Sequence, residues 1–586
     1  MSETTETERA LAYVQVGWAH LHQQRPLAAW ANWQRALRID PGLASAQAAL
    51  DRLLLSPELP LVARTEYHFL SPTQPAQRER WATVLAQGDL SELDQAEQAF
   101  RSLADADPRD LEARMNQALC LAWLGRNVDA IAAFLAAADS SNLDPKQYDQ
   151  GVQACTLVEL LRQGGGAEQL ADEFTNILVL EWTRPHRDLI RLLEQLGPVR
   201  SVAPTPTQVP GLPSAEEWFT GEWLDRPMPT AAATLEIVAL PRLRASLIVG
   251  QGAARFSLPS SDPGEMTRLE RVLEAILADL FVVLDRQARP RPIALMDADI
   301  WRFRVPSDLD PETRARLFRD WVEQYYENVW IRTPKRALGH ADQPALAPLA
   351  AAAIPSESNP SLRKRLEGLI AFREQLSLRP SMSHLYQGYP FDRLRRRLGL
   401  PLIDPSLIEE NDLSCIGLAE LDALDLATLS PAQLAQIASG PFSRTHKERL
   451  AVHLFEVAPR LLLEMDFPFL ALQMLDLIDD PEEVLEALRA VAGTDIEASA
   501  KIDFLDQLDY LLHLATEHQA EADFPRLESM LEALDPQVLP PACAILEKAG
   551  VHQAARQLED QGLRQAIEMA RPWPVIDRPL SPLDIR

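Results

Sequence analysis

Histidines are the side chains best suited to metal or acid–base chemistry, and their spacing argues against shared ligation. His20 and His22 are two positions apart in a predicted helix, so their side chains point about 200° apart. His513 and His518 are five positions apart, and neither pair belongs to an HExxH or HxxxH pattern. Because a metal site needs several ligands that converge on one point, the histidines predict no metal site.

Two glycine-rich stretches have the composition of phosphate-binding loops but lack their context. Gly164-Gly165-Gly166 has no GK[ST] after it, which favours a flexible turn between two helices. Gly250-x-Gly252 lies between two predicted strands with no helix behind it, which favours a β-hairpin turn over a dinucleotide site. The acidic run 479–483 matches no calcium loop and suits a helix start.

The linear motifs of the common enzyme classes are also missing. The sequence contains no GxSxG, Walker or kinase signature, each of which places a nucleophile or a phosphate at a defined turn. We therefore expect neither a cofactor nor a catalytic site. An enzyme hidden in the central domain stays open as an alternative, and a deep polar pocket around a perturbed ionisable residue would indicate it.

Cysteine usage and hydropathy predict a cytoplasmic protein. The cysteines are far apart and form no CxxC pair, as expected for buried thiols in a reducing compartment. The first ten residues, MSETTETERA, are acidic and polar, unlike a signal peptide. No uncharged apolar run reaches the roughly 18 residues of a membrane helix. Arginine far outnumbers lysine, a bias that suits a GC-rich bacterial genome. The four cysteines are Cys120, Cys155, Cys415 and Cys543.

Charge is distributed unevenly along the 586 residues, whose net charge is −28. Residues 401–586 hold 13 Lys+Arg against 34 Asp+Glu, whereas residues 361–400 hold 9 basic and 3 acidic residues. Such an acidic chain disfavours broad nucleic-acid or anionic-membrane binding. A basic island beside an acidic half predicts that the two dock on each other.

The basic island centres on a predicted short helix that ends at Gly399 and Pro401. The favoured interpretation is an amphipathic helix that buries Leu394 and Leu398 and pairs its arginines with the acidic C-terminal half. The alternative is an RNA- or ribosome-associated surface in which the arginines bind phosphates and nearby aromatic residues stack on bases. The arginines of this candidate patch are Arg393, Arg395, Arg396 and Arg397.

The strongest pattern in the chain is a repeat of small and aromatic residues. Residues 8–41 read Tyr13-x2-Val16-Gly17-x2-His20, then Ala29-x3-Trp33 and Pro41. The pattern returns at Ala96-x3-Phe100 and at Ala130-x3-Phe134, with 34 residues between the two alanines. It resembles the tetratricopeptide repeat (TPR), in which small residues let two antiparallel helices approach and large ones fill the groove around them. A degenerate unit containing the proline-interrupted stretch 56–75 is expected in between.

The resemblance implies a protein that binds partner proteins in grooves between helices. A partner helix or extended peptide would be held there by aromatic and polar anchors. A homo-oligomer is a further alternative for the partner. The candidate anchors are Tyr13, His20, Trp33, Arg114 and Trp123.

The central residues change character towards short β-rich runs and proline-rich linkers. The expected strands are TLEIVAL, RASLIVG, ARFSLPS and PIALMDADIWRFRV, and the expected helices span 264–285, 310–328 and 361–376. We therefore predict a mainly α protein with a small central α+β domain. Its parts are TPR-like helical repeats (1–197), a proline-rich linker (198–230), the α+β domain (231–345), a basic helical connector (346–411) and an acidic helical-repeat domain (412–586).

One segment of the central region resembles a known interaction module. Trp330-x3-Pro334-x2-Ala337-Leu338-Gly339 is followed by Gln343-Pro344 and a predicted helix. This is similar to the W-x3-P-x2-A-L-G…T-P segment of the toxin-binding domain in MbcA/ParS/Xre-type antitoxins, with Gln-Pro in place of Thr-Pro. The resemblance implies a toxin-neutralising module as an alternative. The leading interpretation is a non-enzymatic scaffold or adaptor.

Overall fold

The computed structural model describes residues 6–72, 92–202, 218–250, 252–258, 263–277, 280–339, 345–355, 358–407 and 412–417, with single positions up to 437. The chain divides into two compact units, 1–407 and 408–586. The described part is mainly helical and contains one antiparallel sheet. The prediction of a mainly α chain with a smaller α+β part is confirmed. No helix among these residues is long and apolar enough to cross a membrane.

The N-terminal part of the first unit is built from helices that pack on their sequence neighbours. They are α1 (Glu6–His22), α2 (Pro26–Ile39), α3 (Ala44–Leu54), α4 (Leu93–Ala106), α5 (Leu111–Trp123), α6 (Asn127–Ser140) and α7 (Tyr148–Arg162). Proline at the start of α2 and the Asp110 side chain, which accepts from the Ala113 N–H, define two of the helix starts. The helices predicted over 8–41 are confirmed, as are those predicted over 75–142 in its described part, which begins at residue 92.

Gly17 allows the close approach of α1 and α2 that the repeat pattern predicts. The Trp33 indole lies directly over it and donates a hydrogen bond to the Val14 carbonyl at 3.2 Å. A Cβ atom at position 17 would lie 2.2 Å from Trp33 Nε1. The glycine is therefore required by the packing of the tryptophan and not by the conformation of the helix.

We expect Gly17→Ala to destabilise the protein although alanine is the better helix former. The gain in helix propensity is about 1 kcal/mol, whereas an overpacked contact costs typically about 1–3 kcal/mol. Urea unfolding followed by tryptophan fluorescence would show a lower midpoint. Gly42→Ala is the matched control, because the nearest atom to its added Cβ would be 3.6 Å away. An unchanged midpoint for Gly17→Ala would contradict the account.

The sheet follows α7 in sequence and has the strand order β2-β3-β4-β5-β1-β6. All its neighbouring strands pair antiparallel, and helices α8 (His186–Leu193) and α9 (Pro263–Leu277) contribute leucines to the core beside it. The strands are β1 (Phe174–Trp182), β2 (Val199–Ser201), β3 (Trp218–Leu224), β4 (Leu243–Gly250), β5 (Gly252–Leu258) and β6 (Val282–Pro290).

Strand β1 lies inside the region for which helical repeats were predicted, so that prediction is wrong for 174–182. Leu178 and Leu180 are buried on one face of the sheet, and Ile177 and Val179 on the other. A strand buried on both faces reads as a continuous apolar run, which periodicity alone does not distinguish from a buried helix. Strands β2 and β3 likewise occupy both ends of the predicted linker 198–230.

Of the other elements predicted for the central region, two strands are confirmed, whereas one helix and two further strands are not. RASLIVG and the described part of ARFSLPS, residues 254–258, lie in the paired strands β4 and β5, and Gly252 takes a positive φ of 100°. Helix α9 ends at Leu277 and the chain then forms β6, so the helix predicted to residue 285 is too long. TLEIVAL and PIALMDADIWRFRV form short 3-10 turns and not strands. Their apolar residues fill gaps between helices, a packing that needs no period of two.

The remaining helices of the first unit share a hydrophobic core of their own. They are α10 (Pro311–Gln324, continued by a π turn to Val329), α11 (Pro348–Ala352), α12 (Pro360–Ser377), α13 (Pro380–Tyr386) and α14 (Phe391–Arg397). Helices 310–328 and 361–376 are confirmed. A Cβ atom on Gly368 of α12 would lie 2.5 Å from Cys155 Cβ on α7. The predicted connector 346–411 therefore supplies a helix that packs on the N-terminal helices. Along the sequence, the strands of the sheet come after α7 and before α12.

The described residues of the second unit are few. Asp412 begins a 3-10 turn over Leu413–Cys415, and a small core contains Leu413, Ile416, Leu421 and Ile437. The helical repeats predicted for the remainder of 412–586 lie outside the described residues. The acidic run 479–483, His513, His518 and Cys543 lie outside them as well.

Candidate functional site

Three helices of the N-terminal part of the first unit bring aromatic side chains together at one groove. Trp30 of α2, Phe100 of α4 and Trp123 of α5 are all buried. The centroids of the Trp30 and Trp123 rings are 5.6 Å apart. The ring of Phe69 lies 5.0 Å from Phe100 and 5.2 Å from Trp123. This groove, defined by Trp30, Phe100, Asn116 and Trp123, is called the aromatic groove below.

Phe69 belongs to an irregular segment, residues 64–72, which follows a 3-10 turn at Leu61–Ala63. The stretch 56–75 was predicted to be part of a degenerate repeat. Its proline content disfavours a helix, and residues 64–72 form neither helix nor strand. The segment instead lies against the helices and places one aromatic ring in the aromatic groove.

Asn116 of α5 binds the backbone of this segment through both ends of its amide. The Leu70 N–H donates to Asn116 Oδ1 at 2.8 Å, and Asn116 Nδ2 donates to the Leu70 carbonyl at 2.9 Å. Asn116 is 0% exposed. A side-chain amide can satisfy the N–H and C=O of one extended residue without contacting its side chain. The groove therefore recognises the backbone at one position and an aromatic side chain at the position before it.

A second polar group lies on the same face of α5. Glu112 precedes Asn116 by four positions and Trp123 by eleven, so the three side chains form one stripe. Its side chain is 4% exposed, and within the described part of the chain no donor reaches Oε1. By contrast, the buried carboxylate of Glu97 accepts from Arg101 at 2.6 Å and from Gln117 at 3.1 Å. An unused buried acceptor costs about 1–3 kcal/mol, so Glu112 marks a place where a donor is needed.

Two buried cysteines, on α5 and α7, lack the environment of a reactive thiol. Burial raises the pKa of the Cys120 thiol, which lies on α5, and raises that of Cys155 to about 12. Neither thiol is ionised at neutral pH, so neither is an activated nucleophile. Among the residues that the structure describes, no group of histidine, cysteine and carboxylate side chains could hold a metal ion.

Of the predicted partner-binding residues, the structure brings Trp123 into the aromatic groove. Trp33 is buried between α1 and α2, and the Arg35 guanidinium lies over the half-buried Tyr13 ring. His20 is half-buried beside Gly125, and burial followed by the nearby Arg25 charge lowers its pKa. Arg114 donates to the Pro108 carbonyl at 3.2 Å.

Sequence reasoning missed Asn116 and Phe69. A polar amide at position 116, inside the apolar run of α5, was the available signal, because an asparagine in a helix interior is unfavourable without a tertiary partner. Phe69 had no comparable signal, since its proline-flanked segment has no periodicity. The sequence therefore indicates the groove residues that lie on helices better than it indicates the segment 64–72 that lies in the groove.

Three arginines of the candidate patch, Arg393, Arg395 and Arg397, form ion pairs within the first unit. Glu327, which is 3% exposed, receives Arg393 at 2.8 Å and Arg397 at 2.6 Å. Arg395 pairs with Asp392 at 2.9 Å and also with Glu374. Arg395 and Arg397 are buried and Arg396 is partly buried. The sequence predicted partners beyond residue 400; the pairs seen here are with residues 323–392. Buried arginines engaged in this way are poorly placed to bind RNA phosphates.

A buried ion network links the end of α7 to the central residues. Glu159 lies 3.3 Å from Arg162, and Arg373 pairs with Glu173. Burial raises the pKa of Glu159 to about 7, although Arg162 opposes the shift. Burial also lowers the pKa of Lys335. Since these side chains are almost completely buried, the network joins parts of the fold and presents no open site for a substrate.

The raised pKa of Glu159 predicts a pH-dependent stability that Glu159→Gln removes. Below about pH 4.5 the carboxyl is protonated in both states. As the pH rises towards 7, the unfolded chain loses this proton before the folded protein does, so the free energy of unfolding falls. Chemical unfolding from pH 4 to 8 should show an advantage of Glu159→Gln that grows to at most about 3 kcal/mol. Exposed Glu181→Gln is the control, and a constant difference between Glu159→Gln and wild type would contradict the expectation.

No protein-family model matches the chain, and no curated protein matches it in sequence.

Proposed function

We propose that this chain is a non-enzymatic scaffold or adaptor of the TPR type, and that its aromatic groove binds an extended segment of a partner protein. The observation that carries the proposal is the two-bond contact between Asn116 and the backbone of Leu70. Main-chain hydrogen bonds give affinity for any extended chain, whereas pockets for side chains give specificity. The helix pairs of the N-terminal part and their small-residue contacts support the TPR-like arrangement.

The chemistry of the groove supports peptide binding over the other candidates. It contains buried aromatic surface, the Asn116 amide, which binds the N–H and C=O of one residue, and the Glu112 carboxylate, whose Oε1 has no donor among the described residues. Aromatic pockets beside a few placed polar groups are typical of protein-binding hot spots. For the RNA alternative, the burial of Arg395 and Arg397 is unfavourable.

We expect Asn116→Ala to remove partner binding. Two hydrogen bonds of about 1 kcal/mol each correspond to a loss of roughly thirtyfold in affinity. All baits carry Phe69→Ala, because residues 64–72 make the same two hydrogen bonds with Asn116 and would otherwise be weakened as much as the partner is. The measurement is affinity purification from the native organism with this full-length parent and its Asn116→Ala derivative as parallel baits. Asn32→Ala is the matched control, because Asn32 is an equally buried helix asparagine that bonds only the Ala28 carbonyl of its own helix.

The two variants separate the possible outcomes. Partners recovered by the Phe69→Ala parent and by its Asn32→Ala derivative, but lost by its Asn116→Ala derivative, would support the groove. Equal recovery by all three baits would refute the groove as the binding site. An absence of any specific protein in all three would refute the scaffold proposal.

A further inference from the structure

Residues 64–72 occupy the aromatic groove as a peptide ligand would. We propose that this segment is a resident internal ligand, and that the partner is an extended segment of similar chemistry that binds by displacing it. The partner would carry an aromatic residue followed by an aliphatic one, as Phe69 and Leu70 do. This inference rests on the proposed peptide-binding function and adds to it the ligand class and an autoinhibited ground state.

The segment contacts the helices through some of its residues and leaves others in solvent. The ring of Phe69 and the backbone of Leu70 are its anchors in the aromatic groove. Tyr67 and Leu70 also pack against the N-terminal core and Pro72 is buried, while Glu66, His68 and Ser71 are exposed. Its other hydrogen bonds are local: Thr65 Oγ1 donates to the Leu61 carbonyl at 2.8 Å, and the Tyr67 hydroxyl donates to the Val62 carbonyl at 3.1 Å. An irregular segment that belongs to no helix or strand, with exposed residues between its contacts, opens at a lower free-energy cost than the core.

The aromatic groove is formed by elements that do not depend on the segment. Trp30, Phe100 and Trp123 come from three different helices that pack on one another. Asn116 lies in the middle of α5, where the helix fixes its position. When the segment leaves, the groove therefore stays arranged for another extended chain, and the binding cost is that of displacing the resident.

The segment is anchored immediately before the part that would leave. The Val62 N–H donates to Gln375 Oε1 of α12 at 2.8 Å, and the Ser381 N–H donates to Glu58 Oε1 at 3.1 Å. These contacts hold residues 58–62 beside the groove. A tethered segment competes at a high effective concentration, so it excludes weak ligands and yields to a partner that makes additional contacts.

Glu112 supplies the additional contact that gives a partner its advantage. The resident segment leaves the buried Glu112 Oε1 without a donor among the described residues. A partner with a lysine, arginine or hydroxyl side chain near its aromatic–aliphatic pair would satisfy that oxygen. Hydrogen bonds to charged groups are among the stronger ones in proteins. A partner that donates one to the unpaired Glu112 oxygen should therefore bind roughly tenfold or more tightly than a partner without it.

The test uses a fluorescent nonapeptide of residues 64–72, Arg-Thr-Glu-Tyr-His-Phe-Leu-Ser-Pro, and full-length protein. Phe69→Ala weakens the resident segment, so this variant should bind the peptide at least about tenfold more tightly than wild type. Phe69→Ala combined with Asn116→Ala should lose that binding, whereas Phe69→Ala combined with Asn32→Ala should keep it. A peptide with alanine in place of its phenylalanine is the ligand control and should not bind.

Several results would overturn the proposal. Equal peptide affinity of wild type and Phe69→Ala would do so, as would binding that survives Asn116→Ala. A wild-type dimer that the free peptide dissociates would assign the groove to the segment of a second copy instead. If these results coexist with partner recovery that depends on Asn116, the proposed function stands and this inference alone fails.

Hydrogen exchange on the wild-type protein keeps the proposal testable if Phe69→Ala does not fold. The Leu70 amide should exchange by local opening, at a lower protection than the amides of Met115–Leu119 in the middle of α5. If the Leu70 amide exchanges only together with those amides, the segment is a permanent part of the core and the proposal is wrong.

Discussion

Replacing Glu327 by alanine should destabilise the first unit by about 3–5 kcal/mol, the usual cost of removing one partner of a buried ion pair. The Glu327 carboxylate receives Arg393, Arg397 and the Tyr389 hydroxyl. Without it, the Arg397 guanidinium stays buried and loses the acceptor at 2.6 Å. A buried charge that loses a close ion-pair partner is destabilised far more than a neutral group that loses a contact.

Thermal unfolding followed by far-ultraviolet circular dichroism would measure this loss. Glu323→Ala is the matched control, because Glu323 also pairs with Arg393, at 2.6 Å, but its side chain is 40% exposed. Exposed pairs contribute about 1 kcal/mol or less. Similar melting temperatures for Glu327→Ala and wild type would contradict the structural role assigned to these arginines.

Trp123→Leu should lose stability and peptide binding together, whereas Trp33→Leu should lose stability alone. Both tryptophans are buried, and deletions of large aromatic side chains cost up to about 3–5 kcal/mol. Trp123 contacts Phe69 in the aromatic groove, while Trp33 packs at Gly17 and Trp18. A buried aromatic anchor contributes about 2 kcal/mol or more to binding, so Trp123→Leu should weaken binding by roughly thirtyfold.

This pair is informative because the sequence indicated both tryptophans as partner anchors. Each variant would be combined with Phe69→Ala, and the nonapeptide affinity would be measured below its melting transition. Equal binding losses for Trp33→Leu and Trp123→Leu would show that reduced stability, and not the groove, controls binding.

The helix pairs could be predicted because their signal is local. The small-x3-aromatic pairs Ala29–Trp33, Ala96–Phe100 and Ala130–Phe134 share one internal spacing, and the last two lie 34 residues apart, the period of a repeated helix pair. Strand β1 could not be predicted in the same way, since the paired residues of β5 and β6 lie 70 to 116 positions further on, from Trp182↔Gly252 to Phe174↔Pro290. The packing of α12 on α7 is similarly invisible to a local pattern, because about two hundred residues separate Cys155 from Gly368.

In the candidate site, too, residues with a local sequence signal could be predicted, whereas residues placed by long-range contacts could not. Trp123 was predicted because it lies in a helix of the repeat pattern, but its neighbours Phe69 and Trp30 come from other elements. Burial of Arg395 and Arg397 depends on carboxylates 3 to 70 positions away. Charge counts identified these arginines as a basic island, whereas tertiary contacts made them part of an ion-pair network.

Photocrosslinking gives the most direct test of the claim that the aromatic groove binds extended peptides. The nonapeptide would carry photo-leucine at the position that corresponds to Leu70, and the full-length Phe69→Ala variant would be its target. The crosslinks should map to α5, close to Asn116, and disappear when Asn116→Ala is added. Crosslinks that fall mainly outside α2, α4 and α5, or that persist without Asn116, would contradict the account.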